Sequence, residues 1–134
     1  MAIKYSAAVK NAKLDALETA IGTGAVLKFR TGAPPTAITD ADSGTVVATL
    51  TLPSDWMAAA SGGVKAKTGT WQDTSADNAG KIEHFRIYAS DGTTQHMQGT
   101  VTESGGGGDL IVDQDDVNAG QTVTVSSFSI TSGN

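Results

Sequence analysis

Between Gly22 and Gly24 the hydrophobic spacing of this chain changes from a helical period to an alternating one, and the alternation dominates from there to the end. Before the change, Leu14, Leu17 and Ile21 recur at i, i+3 and i+7 among five alanines, which predicts a helix over Ser6 to Ile21. Ser6 is placed to cap it and Gly22 to stop it. The apolar stripe is narrow, so the helix is expected to lie on a sheet or on a neighbouring subunit.

After the change, Leu27 and Phe29 alternate with Val26, Lys28 and Arg30, and Thr31-Gly-Ala-Pro-Pro35 breaks the strand because proline removes a ladder donor. Thr45 to Leu52 places Val46, Ala48, Leu50 and Leu52 on one face. Val64 to Trp71 alternates Val64, Ala66 and Thr68 with Lys65, Lys67 and Gly69, and a polar loop is expected over Asp73 to Gly80. Lys81 to Ala89 puts Phe85, Ile87 and Ala89 opposite Ile82, His84, Arg86 and Tyr88. Asp91-Gly92 then tolerates the positive φ of a tight turn, so the return strand Thr94 to Thr102 is expected to pair directly with it. Asp109 to Asp113 turns Leu110 and Val112 inward. In the last run the apolar face moves from Val123 and Val125 to Phe128 and Ile130, a change of parity that calls for a bulge near Ser126-Ser127. About seven strands in antiparallel order predict a mainly β, jelly-roll-like sandwich. Residues 1–24 form an arm and helix, and residues 25–134 form a single β domain.

A chain of 134 residues suits one core. Its large fillers are expected to be Trp56, Trp71, Phe29, Phe85, Phe128, Tyr5 and Tyr88. The absence of cysteine excludes disulfides, thiolate metal sites and a thiol nucleophile. No segment approaches the roughly 20 apolar residues of a membrane-spanning helix. The net charge of -5 is unevenly spread: residues 1–30 carry Lys4, Lys10, Lys13, Lys28 and Arg30 against Asp15 and Glu18, leaving an acidic remainder. That body argues against nucleic acid or an anionic membrane as the main partner, while the basic start suits an acidic protein.

Few residues offer chemistry. His84 and His96, with Glu83 or Asp109, are metal-ligand types that the hairpin brings near one another, but two histidines on paired strands are more often packing residues. Asp113, Asp115, Asp116 and Asn118 gather oxygen atoms without the glycine and terminal glutamate of a calcium hand. Gly105 to Gly108 is followed by no Lys-Ser or Lys-Thr and so is not a phosphate loop. Trp56 and Trp71 would make a sugar platform only if both escaped the core. No cofactor, metal or catalytic residue is expected.

Leu52-Pro-Ser-Asp-Trp-Met57, Trp71, His84-Phe-Arg-Ile-Tyr88 and the ending from Asn118 to Asn134 resemble small virion proteins of tailed bacteriophages. More narrowly, the helix followed by a β domain is similar to capsid cement, or decoration, proteins. That resemblance implies a non-enzymatic structural protein, made in the host cytoplasm and held on the virion. There it would bind the major capsid protein on the outside of an icosahedral shell and stabilise contacts between capsomers. It also implies self-association on the shell, as a dimer or higher.

On this resemblance the candidates for capsid contact are Lys4, Tyr5, Lys10, Lys13, Lys28 and Arg30, within the arm from Ala2 to Lys13 and the first strand. Those for self-contact are Arg86, Tyr88, Thr124 and Phe128. The other reading is a receptor- or glycan-binding module of a phage fibre or tail. A metal-dependent hydrolase around His84 and His96 ranks below both.

Overall fold

The computed structural model describes residues 3–132; Met1, Ala2, Gly133 and Asn134, the ends of the predicted arm and of the quoted C-terminal run, lie outside it. Among the described residues one helix, α1 (Ala7–Ile21), precedes ten strands: β1 (Val26–Arg30), β2 (Val46–Thr51), β3 (Val64–Ala66), β4 (Gln72–Asp73), β5 (Gly80–Lys81), β6 (His84–Tyr88), β7 (Gln95–Thr102), β8 (Leu110–Val112), β9 (Asp116–Val117) and β10 (Val123–Thr131). The chain is mainly β, as its alternation predicts.

The caps lie where the sequence places them. Ser6 Oγ accepts from Val9 N at 3.3 Å, and the N–H of Gly22, at φ 91°, donates to Glu18 O. Leu14 and Ile21 are buried, with Leu17 half-buried between them.

The main sheet runs β2-β1-β6-β7-β8-β10-β3, with β4 also paired to β10, and β5 and β9 form a separate two-stranded piece. The sheet curls until β4 lies against β2. There Asp73 Oδ2 accepts from Thr49 N, and Val47 O accepts from the N–H groups of Asp77 and Asn78, so a loop covers the outer edge of β2. Among the described residues, twenty-two buried hydrophobic ones make one core. Trp71 links its halves, with ring centroids 5.9 Å from Trp56 and 5.7 Å from Phe128, and Phe128 meets Phe85 edge-on at 5.6 Å. Six of the seven predicted aromatic fillers are buried, but Tyr5 is 40% exposed.

The predicted β6–β7 hairpin forms. The Asp91 carboxylate accepts from Thr93 N and Thr94 N at 2.9 Å each, and with the Thr94 hydroxyl these bonds hold it well below the usual carboxylate range. A register shift between Val125 and Ser127 is the bulge that the change of parity requires.

Three features differ from expectation. β7 and β8 run parallel, through Val101↔Leu110 and Thr102↔Ile111, so the sheet is mixed rather than antiparallel throughout. The polar segments 73–80 and 115–120 contain short strands, because Gly80 and Lys81 pair with Val117 and Asp116. In β3 the alternation holds, but the buried side belongs to Lys65, which is 2% exposed, while Val64 is 40% exposed.

Candidate functional site

β6 has neighbours on both edges, and Phe85 and Ile87 turn into the core. Its opposite face is covered by the loop from Thr31 to Asp42, so all five of its residues are buried. Polar side chains hold that loop down. Arg86 donates through Nε to Gln98 Oε1 at 3.0 Å and through its terminal nitrogens to Asp40 O at 2.9 Å, Asp42 Oδ1 at 3.0 Å and Ala37 O at 3.2 Å. Arg30 donates to the other carboxylate oxygen of Asp42 at 3.0 Å, and Tyr88 Oη donates to Asp42 Oδ1 at 2.8 Å. Gln98 Nε2 adds a bond to Pro35 O.

This network gives Asp42 its charge state. Partial burial raises its pKa, but the Tyr88 hydroxyl and the two guanidinium groups outweigh that and hold the carboxyl below its ordinary value. Burial and the bond to Asp42 push the Tyr88 phenol up.

Arg86 and Tyr88, predicted as self-contacts, therefore have no exposed surface to offer a neighbour. Phe128 is 6% exposed in the aromatic core and reaches the surface only at the base of a cavity beside Met97 and Ile130. Thr124 is half-buried in β10, where its N–H donates to Asp113 Oδ1. Of the predicted capsid contacts, Arg30 is buried against Asp42, and Lys28 Nζ donates to Gly92 O at 3.0 Å and sits 5.0 Å from the centre of the Tyr88 ring. The buried cations are corrected for one physical reason: a guanidinium in the interior satisfies carbonyls and carboxylates of its own chain and is not free for a partner.

The other four remain on the surface. Lys4, Tyr5 and Lys13 are exposed, with Lys13 Nζ 4.4 Å from the centre of the Tyr5 ring, and Lys10 is half-buried with its stem against Gly63. Ile3, 71% exposed, and Val9, 43% exposed, lie among them. Of the four large hydrophobics that are exposed among the described residues, three therefore fall between Ile3 and Val9. The start of the helix and its arm thus carry exposed apolar side chains interspersed with lysines. Alternation signals the Ile3 and Tyr5 part of this surface, since Lys4 separates two apolar residues ahead of the helix cap.

The histidines do not converge. His84 stands opposite Thr100 and Arg30, while His96 is exposed further along β7. Among the described residues, no group of three or more His, Asp or Glu side chains is disposed to hold a metal ion. The acidic turn is internally bonded as well, with Asp115 3.5 Å from Lys81 Nζ and the Glu103 carboxylate accepting from Asp115 N. A concavity of about 720 Å³ is an open depression between Lys81–Glu83, Thr100–Gly106 and the acidic turn. Trp56 and Trp71 are fully buried and form no platform.

His84 supplies a pH dependence. Its Nδ1 lies 2.6 Å from Gly32 O, so the proton is on Nδ1, and the buried Nε2 has no partner. Burial, reinforced by Arg30 and Arg86, pushes its pKa below the ordinary 6.5 despite the bond to Gly32. A base with a depressed folded pKa binds its proton first in the unfolded chain. The His84 contribution to stability is thus constant above about pH 6.5 and falls as pH drops below it, at up to roughly 1.4 kcal/mol per pH unit, until His84 itself protonates. Urea midpoints at pH 7.5 and pH 5 are expected to differ in the wild type and to converge in His84→Gln; an equal difference in both would refute the assignment.

Among the described residues, no helix is long and apolar enough to cross a membrane. Compared with protein-family models, with curated proteins and with solved structures, the chain matches none.

Proposed function

We propose that this protein is a structural component of a phage virion that binds the outside of an icosahedral capsid and stabilises contacts between capsomers. The resemblance in its sequence motivates this reading, and the observation that carries it is the exposed N-terminal surface. Ile3, Tyr5 and Val9 together with Lys4, Lys10 and Lys13 form a cationic, partly apolar patch on an otherwise acidic chain. Such a patch fits an acidic protein surface: the ammonium groups steer the approach, and the apolar side chains gain from burial. Many copies on a symmetric shell turn a modest contact into strong retention.

Two charge reversals test the dock without touching the core. Purified wild type added to shells lacking the protein is expected to restore density on the capsid surface in many copies, with occupancy that falls as salt rises. Lys4→Glu combined with Lys13→Glu is expected to weaken binding about tenfold or more, since like charges would then face each other. Unchanged occupancy and salt dependence in the double variant, or density confined to the tail, would overturn the reading.

A further inference from the structure

The sheet lacks a stretch of strand. β8 has three residues, whereas its neighbours β7 and β10 have eight and nine. Its pairing ends at Leu110, opposite Val101 on β7 and Phe128 on β10. Upstream of Leu110 the chain leaves the sheet: the Asp109 carboxylate accepts from Thr100 N at 2.9 Å, and Gly106 and Gly108 fold onto Thr102. Past that point no strand among the described residues pairs between the Gln95–Gly99 part of β7 and the Ser129–Thr131 part of β10. The walls flank the place of one strand, which sets them roughly 10 Å apart.

The slot is apolar at its base and polar along its walls. A cavity of about 320 Å³ opens there, lined by Phe85 and Phe128 with Leu17, Met97 and Ile130. Val101 N donates to Glu83 O beside β6, whereas Thr100 N donates away from β6 to Asp109. By alternation, the main-chain groups of Gln98 also face the slot. On the other wall, Phe128 O accepts from Lys67 N and Ser132 N donates to Gly63 O, both on the β3 side. The main-chain groups of Ser129 and Thr131 therefore face the slot. Two rows of peptide groups above an apolar base call for an extended chain that alternates apolar side chains inward and polar ones outward.

The chain contains such a segment. Ile3-Lys4-Tyr5 alternates in this way, and both of its apolar side chains are exposed. Ser6 is itself extended, at φ -66° and ψ 161°, so the arm leaves the helix already in strand geometry. Leu17 stands ten residues into the helix from Ala7, roughly 15 Å along its axis. Ile3 is four residues from Ala7 and spans at most roughly 14 Å, too short to lay Ile3 and Tyr5 beside Leu17 of the same chain.

We propose that the slot between β7 and β10 receives the N-terminal arm of a second copy of this chain, with Ile3 and Tyr5 on the apolar base and Lys4 facing out. This contact between copies does not depend on the capsid reading. It needs no shell, and although it takes Ile3 and Tyr5 out of the exposed patch, it leaves Val9 and the three lysines free for one.

Cysteine pairing tests it directly, because the chain has no cysteine of its own. Ile3→Cys and Met97→Cys, prepared as separate proteins and mixed under mild oxidation, are expected to form a mixed disulfide dimer. Ile3→Cys mixed with Thr70→Cys, an exposed position away from the slot, is expected to give only background. In sedimentation, Ile3→Asp is expected to weaken self-association about ten- to a hundredfold, the effect of losing one buried aliphatic side chain. Cross-linking no greater than that control overturns the proposal. So does a doubly substituted Ile3→Cys/Met97→Cys chain that closes a disulfide within one monomer, since the arm would then serve its own slot.

Discussion

Replacing Arg86 by methionine is expected to destabilise the folded chain by about 3–5 kcal/mol and to lower its thermal midpoint by roughly 10–15 °C. Methionine keeps most of the bulk, so the loss is one of bonding rather than volume. The guanidinium is fully buried and bonds two main-chain carbonyls, a carboxylate and an amide. Without it, Ala37 O loses its side-chain donor, Asp40 O retains only the longer 3.3 Å bond from Gln95, and Asp42 loses one of its two cations. A hydrogen bond to a charged group contributes about 1.5–3 kcal/mol, and several are lost together here, although Ala37 O keeps the Asp40 N–H as a donor. Arg86→Lys should recover little, since one ammonium point cannot reproduce a planar fork reaching Gln98 on one side and the loop on the other. Because these bonds hold the loop from Thr31 to Asp42, amide exchange there should accelerate in Arg86→Met before the core strands respond. A loss below about 1 kcal/mol, with loop exchange unchanged, would show that backbone contacts alone hold the loop.

The same residue shows why parts of this fold were legible in the sequence and others were not. The β6–β7 turn, the helix caps and the β10 bulge all rest on neighbouring residues, so Asp91-Gly92, Ser6, Gly22 and the jump from Val125 to Phe128 announce them. The parallel pairing of β7 with β8 has no such local mark, because its register depends on how the glycine segment before Asp109 folds onto Thr102. Strands of two residues, such as β5 and β9, are too short for any period to show.

Charge is the larger difficulty. Reading Arg86 as surface assumes that a strand has one wet face, but β6 is covered on its second face by a loop joining β1 to β2. A signal was present in the length of that connection and in its two aspartates, since a long loop in a compact domain has to be held by something. For the candidate surface the outcome divides by position. Cations before Leu14 are on the helix or its arm and stay outside, whereas Arg30 and Arg86 sit on central strands and turn inward. The slot was not legible at all, because a missing strand leaves no residues to read.

Lys65 makes the corresponding test on the helix side. It is 2% exposed beneath α1, where its ammonium lies 2.8 Å from Asp15 and 3.4 Å from Glu18 and donates to Ala58 O at 2.9 Å. The same two carboxylates accept from Ala60 N and Met57 N, and Gly22 O accepts from Trp56 Nε1, so the helix is fastened to segment 56–65 mainly by polar bonds. Only Leu14 and Ile21 of the helix are buried, too little apolar surface to hold it without them. Lys65→Ala is therefore expected to cost about 3–4 kcal/mol, combining a cavity with two carboxylates that lose their cation. Lys65→Met, which fills the space, should lose less, and Lys65→Met with Glu18→Gln should recover part of that. The readouts are helical circular dichroism and the emission of Trp56, which should change together as the helix detaches. Burial alone would lower the Lys65 pKa, but Asp15 and Glu18 outweigh it and raise the value above 10.5. A raised folded pKa means that this stabilisation is complete below pH 10.5 and is lost as pH rises through the higher folded value. The wild type should accordingly show an alkaline loss of helix docking that Lys65→Met lacks. An identical alkaline profile in the two proteins would place the fastening of the helix elsewhere.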